Sequence, residues 1–162
     1  MEITKTRDAS AADRAAHIWA HATAKRDETA PGTVEYEAAI PLIQEVLDHS
    51  ERSFLLTLTE DDEMLVFIAV EPSRVETDET IGEMRYMGVA PGHWGEGWAR
   101  RILVALPEAM RDSGFDQGEL WVYADNIRAI FVYEAMGWQG TNQTRRHAVT
   151  GRVEQKFVRK LT

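Results

Sequence analysis

The stretch VAPGHWGEGWARRIL, residues 89–103, sets Gly92, Gly95 and Gly97 between an apolar run and a segment of helical periodicity. A glycine inside a regular element weakens it by roughly 0.5–1 kcal/mol, so this close set marks a turn that needs bare backbone. Upstream, IGEMRYMGV (81–89) reads as a strand ending at Pro91; downstream, WARRILVALPEAMRDSG (98–114) reads as a helix closed by Gly114, with Pro107 predicting a kink or an early break. Strand, glycine turn and helix N-terminus in that order bring free N–H groups and the positive end of a helix dipole to one point, an arrangement suited to phosphate. The loop lacks the Lys-Ser/Thr of a nucleoside-triphosphate loop, and its glycine spacing is not that of a dinucleotide fingerprint. Taken alone, it is equally a turn that uses glycine only for positive φ.

Outward from this turn the elements fall into order. Ile3 to Arg7 predicts a short edge strand and Ala11 to Lys25 a helix, with Ser10 as N-cap. Asp27 to Thr33 is loop-like, and Tyr36 to His49 resumes a helical pattern that Pro41 is expected to break or restart. SFLLTLT (53–59) and EMLVFIAVE (63–71), separated by the acidic turn 60–63, carry a hairpin signature. GELWVYA (118–124) predicts another strand, NIRAIFVYEAMGW (126–138) a helix stopped by Gly137, and Thr141 to Leu161 a hairpin turning near Thr150 and Gly151. Antiparallel strands followed by strand, helix, strand, helix predict a mixed α/β sheet in a single domain, residues 1–162.

Composition narrows the function. With no cysteine, a disulfide framework, thiolate-bound zinc and a cysteine nucleophile are excluded. A net charge of −9 argues against nucleic acid or anionic membrane as partner and suits a cationic small molecule. No long apolar run or leader pattern is seen, which predicts a cytoplasmic protein. His17 and His21 stand at the spacing of a metal pair without a third ligand, so no metal is expected.

Val89, Pro91, Gly95, Gly97 and Ala99, together with Asn126, Ala129, Tyr133, Gly137 and Trp138, form a pair of motifs that resembles the two signature regions of the GNAT superfamily of acyl-CoA-dependent N-acyltransferases. One departure stands out: Trp94 occupies the position where that family carries Arg or Gln. The resemblance implies a largely antiparallel sheet of six or seven strands, splayed in the middle and flanked by about four helices. It implies acetyl-CoA as co-substrate, its pyrophosphate held by the backbone of Trp94, Gly95, Glu96, Gly97, Trp98, Ala99 and Arg100, with Arg100 or Arg101 compensating for Trp94. It also places the pantetheine arm between strand ends 84–89 and 119–123, against Asn126, Ala129 and Tyr133, with Gly88 as the site of a strand bulge.

The same resemblance implies direct acetyl transfer to a primary amine. An amine of pKa about 10.4 must lose a proton before attacking, and the leaving thiolate must gain one. Tyr133 is implied as the acid and Glu83 as a candidate base; an exposed carboxylate paired with Arg85 is the alternative for Glu83. An N–H of Met87 or Val89 is the expected oxyanion donor, and Trp19, Glu35 and Tyr36 are expected to line the acceptor pocket. A small-molecule amine is the expected partner, with a homodimer left open. An acyl-CoA-binding sensor without turnover and an acyltransferase for protein N-termini or lysines stay open as alternatives.

Overall fold

The computed structural model describes residues 1–26, 33–75 and 78–161, with side chains between 23 and 37 outside that description. The expected loop at 27–33 therefore lies almost wholly outside the described residues. In chain order the elements are β1 (Glu2–Thr6), α1 (Ala9–Arg26), α2 (Thr33–His49), β2 (Phe54–Glu60), β3 (Glu63–Pro72), β4 (Ile81–Val89), α3 (Trp98–Asp112), β5 (Gln117–Tyr123), α4 (Ile127–Ala135), β6 (Gln139–Arg146) and β7 (Val153–Lys160). All seven strands join one sheet in the order β1-β2-β3-β4-β5-β7-β6. Every neighbouring pair is antiparallel except β4 and β5. The mixed sheet with four flanking helices is the predicted architecture.

β3 is apolar on both faces because both are covered. Val66, Ile68 and Val70 face the α3 side, with Ile102, Leu106, Met110 and Trp138. Phe67 and Ala69 face α1 and α2, among Ala15, Ile18, Ile43 and Leu47. The β2–β3 hairpin turns on Asp61 and Asp62, with φ of 52° and 64°, the double positive φ that matches strand twist in a two-residue turn.

Three local expectations are corrected. Helix α1 starts earlier than Ser10 predicts: Ala12 N–H donates to the Asp8 carbonyl at 3.0 Å, so Asp8 holds the cap position and Ser10 sits inside the first turn. Pro41 and Pro107 do not end their helices, since α2 and α3 run through them to His49 and Asp112. Tertiary packing overrides the lost hydrogen bond; Pro107 is itself buried in the α3 contact face. The β4 bulge falls at Arg85, where Ala69 pairs with Tyr86 and Val70 with Met84, and Gly88 stays in regular register with Phe67. Gly88 is needed for closeness instead: a Cβ there would stand 3.0 Å from both Ile18 and Phe67.

Among the described residues, no helix is long and apolar enough to cross a membrane.

Candidate active site

The parallel pairing of β4 with β5 spans only Ile81–Glu83 against Gln117–Glu119. Beyond it the strands part, as the motif pair implied. Ala90 N–H donates to the Leu65 carbonyl at 2.8 Å, which makes 90 and 65 a hydrogen-bonded antiparallel pair and alternates down the ladder. Residues 88 and 86 then bond β3, while the N–H and C=O of Met87 and Val89 point away from β3 into the gap. An antiparallel ladder on one side and a lost parallel ladder on the other thus present backbone groups to whatever fills the opening.

Two cavities meet in that opening. The first, of about 350 Å³, is lined by Trp19, Glu83, Arg85, Tyr86, Trp121, Tyr123, Arg145, His147 and Glu154, with Tyr133 at its floor. It occupies the part of the α1 face that lies over β5 and β7. Trp19 packs against Tyr86 at 4.8 Å between ring centroids. Arg145 lies 4.1 Å over the Trp121 ring and is ion-paired with Glu154 at 3.0 Å. The second is a groove of about 1270 Å³ between the glycine turn, α3 and α4. Met87, Asn126, Ala129 and Tyr133 belong to both linings, so the two spaces are joined at Tyr133.

The glycines of the opening stretch answer to conformation. Gly92, Gly95 and Gly97 have φ of 86°, 82° and 85°, in the left-handed region that side chains resist. Added Cβ atoms at Gly92 and Gly97 would touch nothing, so backbone angle rather than space selects glycine. Gly97 is the N-cap of α3 and offers no side-chain cap, and the first helical bond is Arg101 N–H to the Gly97 carbonyl at 3.3 Å. The amides of Trp98, Ala99 and Arg100 therefore lack intrahelical partners and sit at the positive end of the dipole. They line the groove with Arg100, Arg128 and Arg152. This donor set fits a diphosphate.

The two indoles of the turn leave the groove open. Trp94 donates from Nε1 to the Val89 carbonyl at 2.8 Å, and Trp98 Nε1 donates to Glu96 at 3.0 Å. The Glu96 carboxyl has the His93 ring as its other neighbour, at 2.8 Å. The Trp98 and His93 hydrogen bonds hold its carboxyl below the usual range. Arg101 lies over the Trp98 ring at 4.5 Å rather than lining the groove. Asn126 lines both cavities, yet its Oδ1 accepts from the Ala129 amide at 3.2 Å as the N-cap of α4. Asn126→Ala is expected to cost about 1 kcal/mol of stability, measured by denaturant unfolding; an unchanged midpoint would show that this cap contributes nothing.

Glu83 is not the exposed carboxylate of the alternative reading: it is 3% exposed. Burial pushes its carboxyl up to about 6, against the pull of Arg85, with Glu119 and Glu71 adding repulsion and Arg145 opposing it. Arg85 Nη1 lies 3.5 Å from Glu83 Oε2. Tyr133 is 8% exposed, and its burial raises the phenol well above its ordinary value. A carboxylate that titrates near neutrality and a phenol that keeps its proton thus face one small space, a pairing suited to taking one proton and giving another.

Trp19 lines the first cavity; the side chains of Glu35 and Tyr36 lie outside the described residues. Trp121, Tyr123, Arg145, His147 and Glu154 were not anticipated. They converge because β7 inserts between β5 and β6, an order the chain sequence does not announce. His21 Nδ1 is engaged by the His17 carbonyl at 3.0 Å, and among the described residues no cluster of ligands suited to a metal occurs.

The profile of the acetyltransferase (GNAT) family matches residues 12–138. Mycothiol acetyltransferase of Renibacterium salmoninarum is 29% identical over 89 residues, 52% of this chain and 25% of the relative. That of Beutenbergia cavernae is 36% identical over 61 residues, 38% of this chain and 20% of the relative. The chain thus spans about a quarter or less of the length of these relatives. Among solved structures, the ribosomal-protein-S18-alanine N-acetyltransferase from Escherichia coli superposes with a TM-score of 0.73 at 20% identity, covering 99% of this chain and 95% of that one. The structure of yncA from Salmonella typhimurium with its cofactor acetyl-CoA gives 0.75 at 18% identity, covering 100% and 95%. At these identities the likeness is one of fold.

Proposed function

The chain belongs to the acetyltransferase (GNAT) family, and from that premise we propose that it moves an acetyl group from acetyl-CoA to a primary amine of a small molecule, in one ternary complex. The observation that carries this reading is the junction at Tyr133. A groove with free helix-terminal amides opens there into a small chamber that holds Glu83. Relatives named mycothiol acetyltransferase point the same way, and a chamber of about 350 Å³ suits a compact acceptor.

The amides of Trp98, Ala99 and Arg100, with Arg100 and Arg128, would hold the diphosphate, and the gap edge of Met87 with the N–H of Val89 the amide-bearing arm, the Val89 carbonyl being taken by Trp94. Acetyl-CoA supplies the thioester carbonyl that the amine attacks. Glu83, ionised above pH 6, takes the proton of the ammonium acceptor. Met87 or Val89 N–H stabilises charge on the acyl oxygen, a donor fixed by the strand before any ligand arrives. Tyr133 gives a proton to the departing sulfur and is, among the described residues, the only group common to both cavities that carries an acidic O–H.

The test joins binding to turnover. Acetyl-CoA at about 100 times its Kd should stabilise the protein by about 2.7 kcal/mol, read as a rise in Tm, and thiol release should follow for some member of a panel of primary amines. Protection without thiol release from any amine would leave a binding protein. Release with peptides alone would move the acceptor to protein N-termini or lysines.

A further inference from the structure

Glu71 is completely buried on β3 and belongs to neither cavity. A buried carboxylate is unfavourable unless cations and donors surround it, and Glu71 has three. Arg74 grips both its oxygens, with Nε at 2.9 Å and Nη2 at 3.1 Å. His49, at the C-terminal end of α2, places Nδ1 3.1 Å from Oε2. The third is Arg85, whose Nε lies 3.8 Å from Glu71 Oε1 while its Nη1 lies 3.5 Å from Glu83 Oε2. Register sets Glu71 directly across from Glu83, a like-charged cross-strand pair that would be destabilising alone. The Arg85 guanidinium lies within reach of both.

We propose that Glu71 is a positioning residue for the reaction: by sharing the Arg85 guanidinium with Glu83, it limits how far that cation stabilises the Glu83 carboxylate and so keeps the base able to hold a proton. The proposal rests on Glu83 being the base. Other charges act on the same group. From β5 comes Glu119, whose Oε2 is 3.0 Å from the Lys156 ammonium of β7. From β6 comes Arg145, itself paired with Glu154 of β7, and on β4 Tyr86 follows Arg85. Around Glu71 the remaining charge is Glu45 of α2, bound to Arg74 at 3.0 Å. Among the described residues only Arg85 contacts both carboxylates, so the coupling between them has two parts, their direct repulsion and their competition for that guanidinium.

The signs separate this role from mere support of the fold. Glu71→Gln removes a repelling charge and releases Arg85 to Glu83; both favour the carboxylate, so Glu83 must titrate lower. Arg85→Gln removes the attracting charge, so Glu83 must titrate higher. Arg74→Gln, at a half-exposed surface position, leaves Glu71 leaning harder on Arg85 and must raise Glu83 slightly.

The experiment follows the side-chain carboxyl carbon of Glu83 by NMR in the full chain labelled with carbon-13 glutamate. The resonance is identified by its loss in Glu83→Gln. The midpoint is expected to fall by about one pH unit in Glu71→Gln and to rise by about one in Arg85→Gln, with a smaller rise in Arg74→Gln. A midpoint in Glu71→Gln that stays within a few tenths or rises overturns the proposal. Should that variant fail to fold, an unmoved or lowered midpoint in Arg74→Gln does so. The acidic limb of kcat/KM, with acetyl-CoA and an accepted amine, is expected to follow the midpoint. A limb that stays while the carbon-13 midpoint moves overturns Glu83 as base, and with it the catalytic meaning of Glu71. An unmoved midpoint instead overturns the coupling itself.

Discussion

Tyr133→Phe is expected to lower kcat by about 10²-fold or more, the lower bound for loss of a positioned acid, while acetyl-CoA binding changes by no more than a few fold. The split follows from where the hydroxyl sits. The ring packs into the α3-side core, and a phenylalanine fills the same volume, so groove and helix should survive. Tyr133 lines both cavities, and the variant removes only its hydroxyl. Burial favours the neutral phenol, so at any working pH the group holds a proton to give and cannot serve as a base. Loss of the hydroxyl should therefore leave the acidic limb of the pH profile in place and depress the whole curve. The check is kcat with Tm shift under acetyl-CoA for both proteins. Full turnover in the variant, with chemistry rate-limiting, would remove the acid role.

The fold was legible wherever one local pattern decided an element. The hairpin at Asp61 and Asp62 was written in two apolar runs flanking an acidic turn, and the glycine turn in positive-φ positions ahead of a helical period. The helix boundary went wrong where two residues competed for one role: Asp8 and Ser10 both cap well, and the first helical bond closes on the Asp8 carbonyl. Proline penalties were overruled by burial at Pro107. At the site, the placing of Tyr133 and the turn amides along one groove was legible because the motif residues sit on adjoining elements; the burial of Glu83 was not, since it depends on tertiary packing. The aromatic and charged walls from Trp121, Arg145, His147 and Glu154 were not. Their meeting depends on β7 entering beside β5, a long-range choice no local window holds. The Glu96 side chain was not legible either: its carboxyl bridges His93 and Trp98, a contact set by the conformation of the turn. The bulge at Arg85 likewise hinged on cross-strand register, as did the facing of Glu71 and Glu83 that brings one guanidinium to two glutamates.

Glu83→Gln should separate catalysis from stability in opposite directions. With the base gone, kcat/KM at pH 7 should fall by about 10²-fold or more. The wild-type decline below pH 6 should vanish, leaving a rate that climbs toward higher pH as the amine deprotonates on its own. The folded protein should meanwhile gain stability. Because folding raises the Glu83 carboxyl from 4.5 to about 6, the folded state holds that proton more tightly than the unfolded chain, and stability falls as pH rises through this window. Above pH 6 the deficit amounts to about 2 kcal/mol, and below pH 4.5 it is absent. A neutral glutamine removes the deficit, so urea unfolding at pH 7.5 should show a gain of that order, reduced by the lost contact to Arg85, and no gain at pH 4. Burial gives the result its direction: if the attraction of Arg85 outweighed it, the carboxyl would titrate below the ordinary range and the variant would be less stable at pH 7.5. Loss of stability together with an unaltered pH–rate profile would make Glu83 a structural partner of Arg85, and the proton of the acceptor would then have to leave by water.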